Sequence, residues 1–316
     1  MFQATYNGVM NCVICGGTNG TEHVFREMKY GTRDKFDYWE CLVCGCLQIA
    51  EIPDNMGAYY PDDFYASSLR FGALEPWLYR AYHKAPSLVR LIRPAPEAFQ
   101  SIIEAKPKPG ARILDVGCGG GKLVNILRSL GYDAHGIDPF VKAETAYVRR
   151  AYLQETTAKD WDLIMFHHSL EHMSHHVDVL RLAREKLAPE GTCLVRIPVA
   201  NWAWRNYKEN WVQLDAPRHF IIHTPQSFRL TFEAAGFRAS DIMFDSAPFQ
   251  FYASELYERD IPLTQVRPQL ARLSSAAMRQ MRTRSSELNR QQLGDQAAFF
   301  LKADNARPES AQHAGS

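Results

Sequence analysis

Ala111-Arg112-Ile113-Leu114-Asp115-Val116-Gly117-Cys118-Gly119-Gly120-Gly121 is the stretch that decides the fold, read together with Asp133-Ala134-His135-Gly136-Ile137-Asp138 downstream. A short apolar run ends in an acid and a glycine-rich turn, and the helical pattern KLVNILRSL follows at once. Glycine suits such a turn because the backbone must bend sharply and admit a ligand closer than a Cβ permits. Asp138 ends the next apolar run, where a carboxylate can accept hydrogen bonds from both ribose hydroxyls of an adenosine. For a nicotinamide enzyme the first acid would be replaced by glycine, and Asp115 suits a sulfonium and an amino group better than a pyrophosphate.

Outward from this turn, apolar runs alternate with helical patterns. After DAHGID the spacing predicts a helix, then a strand in WDLIMFHH, a helix in HHVDVLRLAREKLA and a strand in TCLVRIP. TPQSFRLTFEAAGF then reads as a helix, RASDIMFD as a strand, residues 264–292 as a basic helical segment and QAAFFLKA as a last strand. This is the pattern of successive βαβ units, and it predicts an α/β fold with a doubly wound, mainly parallel, seven-stranded sheet. The expected organisation is a metal-held module over 1–65, a helical linker over 66–105, the main domain over 106–303 and a disordered tail over 304–316.

The motif from Asp115 to Gly121 resembles the first motif of the class I S-adenosylmethionine (SAM)-dependent methyltransferases. The resemblance continues through Glu171-His172-Met173, similar to the Leu-Glu-His element of small-molecule members, and Leu187-Ala188-Pro189-Glu190-Gly191, where Glu190 replaces a glycine. It implies that Asp115, Gly117, Gly119 and Gly121 cradle the methionine part of SAM, that Asp138 holds the ribose, and that His168 and Leu170 lie beside the cofactor. The segment YLQETTAKDWD matches the family poorly, so no adenine contact is assigned.

Cys12-x2-Cys15 and Cys41-x2-Cys44, each followed by glycine, carry the spacing of a zinc ribbon, with Cys46 as an alternative to Cys44. Zinc of this type contributes on the order of 10 to 16 kcal/mol to small sites, enough to fold a module with a meagre core. Cys118 and Cys193 read as apolar packing. Between residues 1 and 65 nine acids face four bases, and the whole chain balances 36 basic against 35 acidic residues. That charge argues against phosphate contacts and hence against nucleic acid as partner. No apolar run approaches the ~18 residues of a membrane span, and the sequence is expected to be cytoplasmic. The ribbon ahead of a methyltransferase domain resembles enzymes of bacterial surface-polysaccharide and natural-product sugar pathways.

Methyl transfer is an in-line displacement, and acceptor residues in this fold come from loops at the carboxyl ends of the fourth and fifth strands. Trp202, Trp204 and Trp211 are expected to offer a flat apolar wall to a ring or sugar, with Asp215, Arg218 and His172 as further acceptor contacts. His219 is the candidate general base, against a structural role beside a backbone carbonyl. The histidines from His167 to His176 also invite a metal reading, for which Glu171 is the nearest carboxylate. The function expected is therefore SAM-dependent methylation of O, N or C on a small acceptor, with a sugar of a nucleotide-sugar, glycan or natural product as the candidate. The alternatives are a nucleic-acid methyltransferase docking through the ribbon and a non-catalytic SAM-binding scaffold.

Overall fold

A computed structural model of the protein describes residues 5–6, 9–60, 81 and 97–304. Most of the expected helical linker and residues 305–316 of the expected tail lie outside them. The amino-terminal part holds β1 (Thr5–Tyr6), β2 (Val9–Met10), β3 (Gly20–Arg26), β4 (Lys35–Cys41) and β5 (Leu47–Ile49). After the helix α1 (Glu97–Ala105) come β6 (Arg112–Val116), α2 (Lys122–Ser129), β7 (Asp133–Ile137), β8 (Val148–Arg149), β9 (Trp161–His167), α3 (His176–Lys186) and β10 (Leu187–Pro198). The remainder is α4 (Trp202–Tyr207), β11 (Ile221–Ile222), α5 (Pro225–Ala234), β12 (Phe237–Phe244), α6 (Phe249–Glu258), α7 (Val266–Leu270), α8 (Ser275–Arg290) and β13 (Gln296–Ala303).

The main sheet has seven strands in the order β12-β13-β10-β9-β6-β7-β8. Pairing is parallel from β10 through β8 and antiparallel where β13 joins β10 and β12. This is the Rossmann-like methyltransferase fold. Its central strands read as unbroken apolar runs because both faces are covered. Ile164, Phe166, Cys193, Val195 and Ile197 point into one apolar layer, while Leu163, Met165 and Leu194 point into the other. One expectation fails here: between Asp138 and β8 the chain makes turns and no helix. Arg150 ties this loop down through the Val141 and Lys142 carbonyls, and Glu144 accepts from the Arg150 amide, so local polar bonds replace a helical ladder.

A second, four-stranded sheet has the order β11-β5-β4-β3, so a strand of the main domain completes the cysteine-bearing sheet. Phe25, Met28, Tyr38, Leu47 and Ile49 of that sheet share one core with Trp204, Trp211, Leu214 and Tyr257. The apolar face of this sheet is thus buried against the main domain, and the core it contributes to is shared.

Candidate active site

The glycine turn follows β6 and is closely packed. Gly117, Gly119 and Gly121 all have positive φ, at 79°, 53° and 74°. A Cβ on Gly117 would stand 2.4 Å from Ser169 Cβ, and one on Gly121 would stand 2.3 Å from Val148 Cγ2. Ser169 in turn donates to the Val116 carbonyl at 2.6 Å, fixing the end of β9 against the end of β6. Asp138 braces the turn, since its Oδ2 accepts from the Gly119 amide at 3.0 Å and its Oδ1 from the Phe140 amide at 2.8 Å. Each oxygen keeps a lone-pair direction for a ligand. Asp115 is buried beside it, and burial together with the Asp138 charge raises its pKa to about 7. Burial also raises Asp138, against the two amides. Two buried carboxylates thus stand side by side at this backbone turn, and a nearby positive charge would favour their ionised forms.

The cavity at this turn has a volume of about 360 Å³. Gly117, Cys118 and Gly119 line one side, and His167, His168 and His172 come from the end of β9 and the loop after it. Val212, Gln213, Asp215 and His219 come from the loop after β10, Phe249 and Leu263 from farther along, and Lys29 from the cysteine-bearing part. His219 Nδ1–H donates to the Gln213 carbonyl at 2.8 Å, which leaves Nε2 as the ring's acceptor. Burial, reinforced by His172, lowers its pKa to about 4, so the imidazole is neutral at pH 7. Asp215 Oδ2 lies 3.8 Å from Nε2. Although burial opposes ionisation, Lys29, Arg218 and His219 hold Asp215 well below the usual carboxylate range. His172 Nδ1–H donates to the Arg218 carbonyl at 2.8 Å, and its ring meets that of His219 edge-on at 4.7 Å. His168 also borders the cavity; burial and then Arg196 lower its pKa to about 3.

Several expected acceptor contacts sit elsewhere. Trp204 and Trp211 are core residues: Trp204 Nε1 donates to Glu40 at 3.1 Å, and the fully buried Trp211 donates to Asp295 at 3.0 Å. Trp202 packs on Phe251 with Arg284 4.4 Å above its ring. The aromatic wall is therefore the seam between sheet and module, where large flat side chains fill the space between two layers. Arg218 is likewise buried, bonded to Glu27 at 2.8 Å and to Asp215 at 2.7 Å, with its Nη1 on the Tyr59 carbonyl. It pins the loop to the cysteine-bearing part rather than facing the cavity. Leu170 is fully buried in the main core and does not line the cavity. Lys29, Gln213, Phe249 and Leu263 carry no sequence signal, because their place in the cavity depends on how remote segments pack.

At the cysteines, one thiol from each of Cys12, Cys15, Cys41 and Cys44 falls within a 4.8 Å group. Cys12 Sγ is 3.5 Å from Cys44 Sγ, and Cys15 Sγ is 3.6 Å from Cys41 Sγ. The Ile14 and Cys15 amides point at Cys12 Sγ, and Gly16 and Gly45 adopt positive φ at 72° and 75°. Amides turned toward a sulfur stabilise a thiolate, so the residues fit a tetrahedral zinc ion. Cys46 Sγ also lies 3.4 Å from Cys12 Sγ. Thr224, the N-cap of α5, donates to the Cys44 carbonyl at 2.7 Å and so ties this cluster to the chain that follows His219.

Residues 88–241 match the family profile described as a methyltransferase domain. The match is to a methyltransferase domain, and it spans the glycine turn and the parallel strands around it. Among curated proteins the chain is similar to the ubiquinone biosynthesis O-methyltransferase of Azorhizobium caulinodans, 31% identical over 161 aligned residues that cover 43% of this chain and 62% of that protein. The protein of the same description from Roseobacter denitrificans is 28% identical over 166 residues, covering 48% of this chain and 63% of the relative. The chain thus spans less than two thirds of the length of these relatives. Among solved structures, a SAM-dependent methyltransferase from Archaeoglobus fulgidus superimposes with a TM-score of 0.43 at 19% identity, covering 69% of this chain and 99% of the other. Neither curated relative is described as a polysaccharide or sugar-pathway enzyme.

Proposed function

We propose that this chain transfers the methyl group of SAM to an oxygen of a small acceptor bound in the cavity beside the glycine turn. The observation that carries the reading is the convergence on one cavity of the Gly117–Gly119 backbone and the polar loop bearing His219. A ligand on the turn and an acceptor against the loop would be neighbours, which is what in-line transfer requires. His219 is the candidate base: neutral at pH 7, with Nε2 unprotonated and Asp215 nearby to stabilise the imidazolium it would become. Asp115, Gly117, Gly119, Gly121 and Asp138 are assigned to SAM, His168 to its surroundings, and His172 and Asp215 to the acceptor. Cys12, Cys15, Cys41 and Cys44 are assigned to a structural zinc ion.

An oxygen acceptor on a ring is favoured by the O-methyltransferases among the relatives. A sugar hydroxyl fits the same chemistry, but of the tryptophans that favoured it Trp204 and Trp211 are in the core and Trp202 packs against it. Nucleic acid is disfavoured by the acidic amino-terminal part. Among the described residues no helix is long and apolar enough to cross a membrane, which suits a cavity-bound substrate. Incubation with SAM and a panel of phenolic and sugar hydroxyl acceptors should yield S-adenosylhomocysteine and a methylated product. His219→Ala should lower turnover by roughly 10²- to 10⁴-fold while keeping affinity for S-adenosylhomocysteine. Full turnover in that variant would remove the base assignment, and cofactor binding without product from any acceptor would favour the scaffold alternative.

A further inference from the structure

Glu171 lies beside three histidines that line this cavity, His168, His172 and His219. Its side chain is 2% exposed, and neither carboxylate oxygen has a hydrogen-bond partner among the described residues. His168 Nδ1 lies 3.2 Å from Oε1 but out of hydrogen-bonding alignment. A buried carboxylate left in this condition costs several kcal/mol unless a cation answers it. Two of these histidines are set up alike. His172 gives its Nδ1–H to the Arg218 carbonyl, and His219 gives its own to the Gln213 carbonyl, each at 2.8 Å. A backbone carbonyl on one ring nitrogen fixes the tautomer and presents the other nitrogen as a ligand, the usual arrangement behind a metal-bound imidazole. One donor atom from each of Glu171, His172 and His219 falls within a common 4.8 Å group.

We propose that Glu171, His172 and His219 form a site for a first-row divalent cation, with its open positions facing the acceptor. Two imidazoles and one carboxylate suit Mn2+, Fe2+, Co2+ or Zn2+, and they leave coordination places for oxygen ligands. The acceptor class follows: a molecule with an ionisable hydroxyl, best with a second oxygen on the neighbouring carbon so that both reach the ion. On binding, the hydroxyl displaces a metal-held water and releases its proton to solvent, the cation having lowered its pKa. The resulting oxyanion attacks the methyl carbon, the carbon–sulfur bond breaks, and the electron pair leaves with sulfur as S-adenosylhomocysteine. With the ion in place, the His219 lone pair is committed to it and the cation takes over activation of the acceptor. This inference rests on reading the cavity as the acceptor site. It is separate from the cysteine cluster, which offers only sulfur.

The test is a Co2+ titration of the intact, zinc-loaded protein by absorbance, with wild type, Glu171→Gln and His219→Gln, and circular dichroism to verify folding. Glu171→Gln keeps the shape of the side chain and removes only its charge. The expected result is one Co2+ bound through weak visible bands of nitrogen and oxygen ligation, with affinity lowered on the order of tenfold to a hundredfold in each variant. Equal binding in wild type and folded variants would overturn the site. So would no binding, or only the intense thiolate band of Co2+ exchanged into the cysteines. Titration of the same samples with S-adenosylhomocysteine keeps the two readings apart. An ion bound without cofactor affinity refutes the methyltransferase reading alone, and cofactor affinity without an ion refutes this one alone.

Discussion

Replacing Asp138 by asparagine tests the cofactor site most directly. In the structure its two oxygens already accept the Gly119 and Phe140 amides at 3.0 and 2.8 Å, so the carboxylate both braces the turn and keeps a lone pair on each oxygen for a ribose hydroxyl. Asparagine keeps the shape but turns one of these oxygens into an NH2. That group cannot accept from a backbone amide, and it cannot accept from a hydroxyl. At least one hydrogen bond to a charged acceptor is lost, worth about 1.5 to 3 kcal/mol. At about 1.4 kcal/mol per tenfold, affinity for S-adenosylhomocysteine should fall by roughly ten- to a hundredfold. Asp138→Ala removes all the bonds, unpins Gly119, and should fall at least as far. The assay is calorimetric titration of wild type and both variants with S-adenosylhomocysteine and, in parallel, NAD. Wild-type affinity in both variants would refute the assignment of Asp138 to the cofactor ribose, and a preference for NAD would refute SAM as the cofactor.

Asp115 should make cofactor binding depend on pH. Its pKa near 7 in the free protein must fall when a cationic ligand arrives, so SAM affinity should rise from pH 6 to 8 with proton release. Because the folded pKa lies above the unfolded one, the contribution of Asp115 to the stability of the free protein is fully present below about pH 4 and is lost as pH rises through 7, whereas Asp215, held low, contributes in the opposite sense. Asp115→Asn should abolish both trends, and unchanged pH profiles in that variant would count against the argument. Removing zinc should lower the melting temperature and increase proteolysis near Cys12–Cys46, because Thr224 and β11 depend on that cluster; a verified zinc-free sample with an unchanged melting curve would show that the thiols hold no structural ion. Trp211→Phe should destabilise by about 1 to 3 kcal/mol in denaturant titrations by removing one hydrogen bond from the buried Asp295, with the acceptor KM unchanged. A raised KM at constant stability would instead return Trp211 to the acceptor site.

The cofactor half of the protein was legible in the chain itself. Its signals are local: glycines that a Cβ cannot replace, an acid at the end of each of two adjoining strands, and apolar runs of strand length separated by helical periodicity. The spacing of the four cysteines is local in the same sense, since a knuckle needs only a few consecutive residues. The acceptor half was not legible in this way. Trp202, Trp204 and Trp211 are as suited to a core seam as to a substrate wall, and only the docking of β5 against β11 decides between them. Arg218 looked like a substrate contact until Glu27, 191 positions away in sequence, was seen beside it. Lys29 reaches the cavity through that same docking, and the burial of Glu171 without a hydrogen-bond partner among the described residues is likewise a product of tertiary packing. Backbone conformation and periodicity are written into short stretches of sequence, whereas burial and charge pairing depend on which remote surfaces meet. The sequence therefore determined the fold and the glycine turn to which SAM is assigned, and the tertiary structure alone decided which side chains line the cavity beside it.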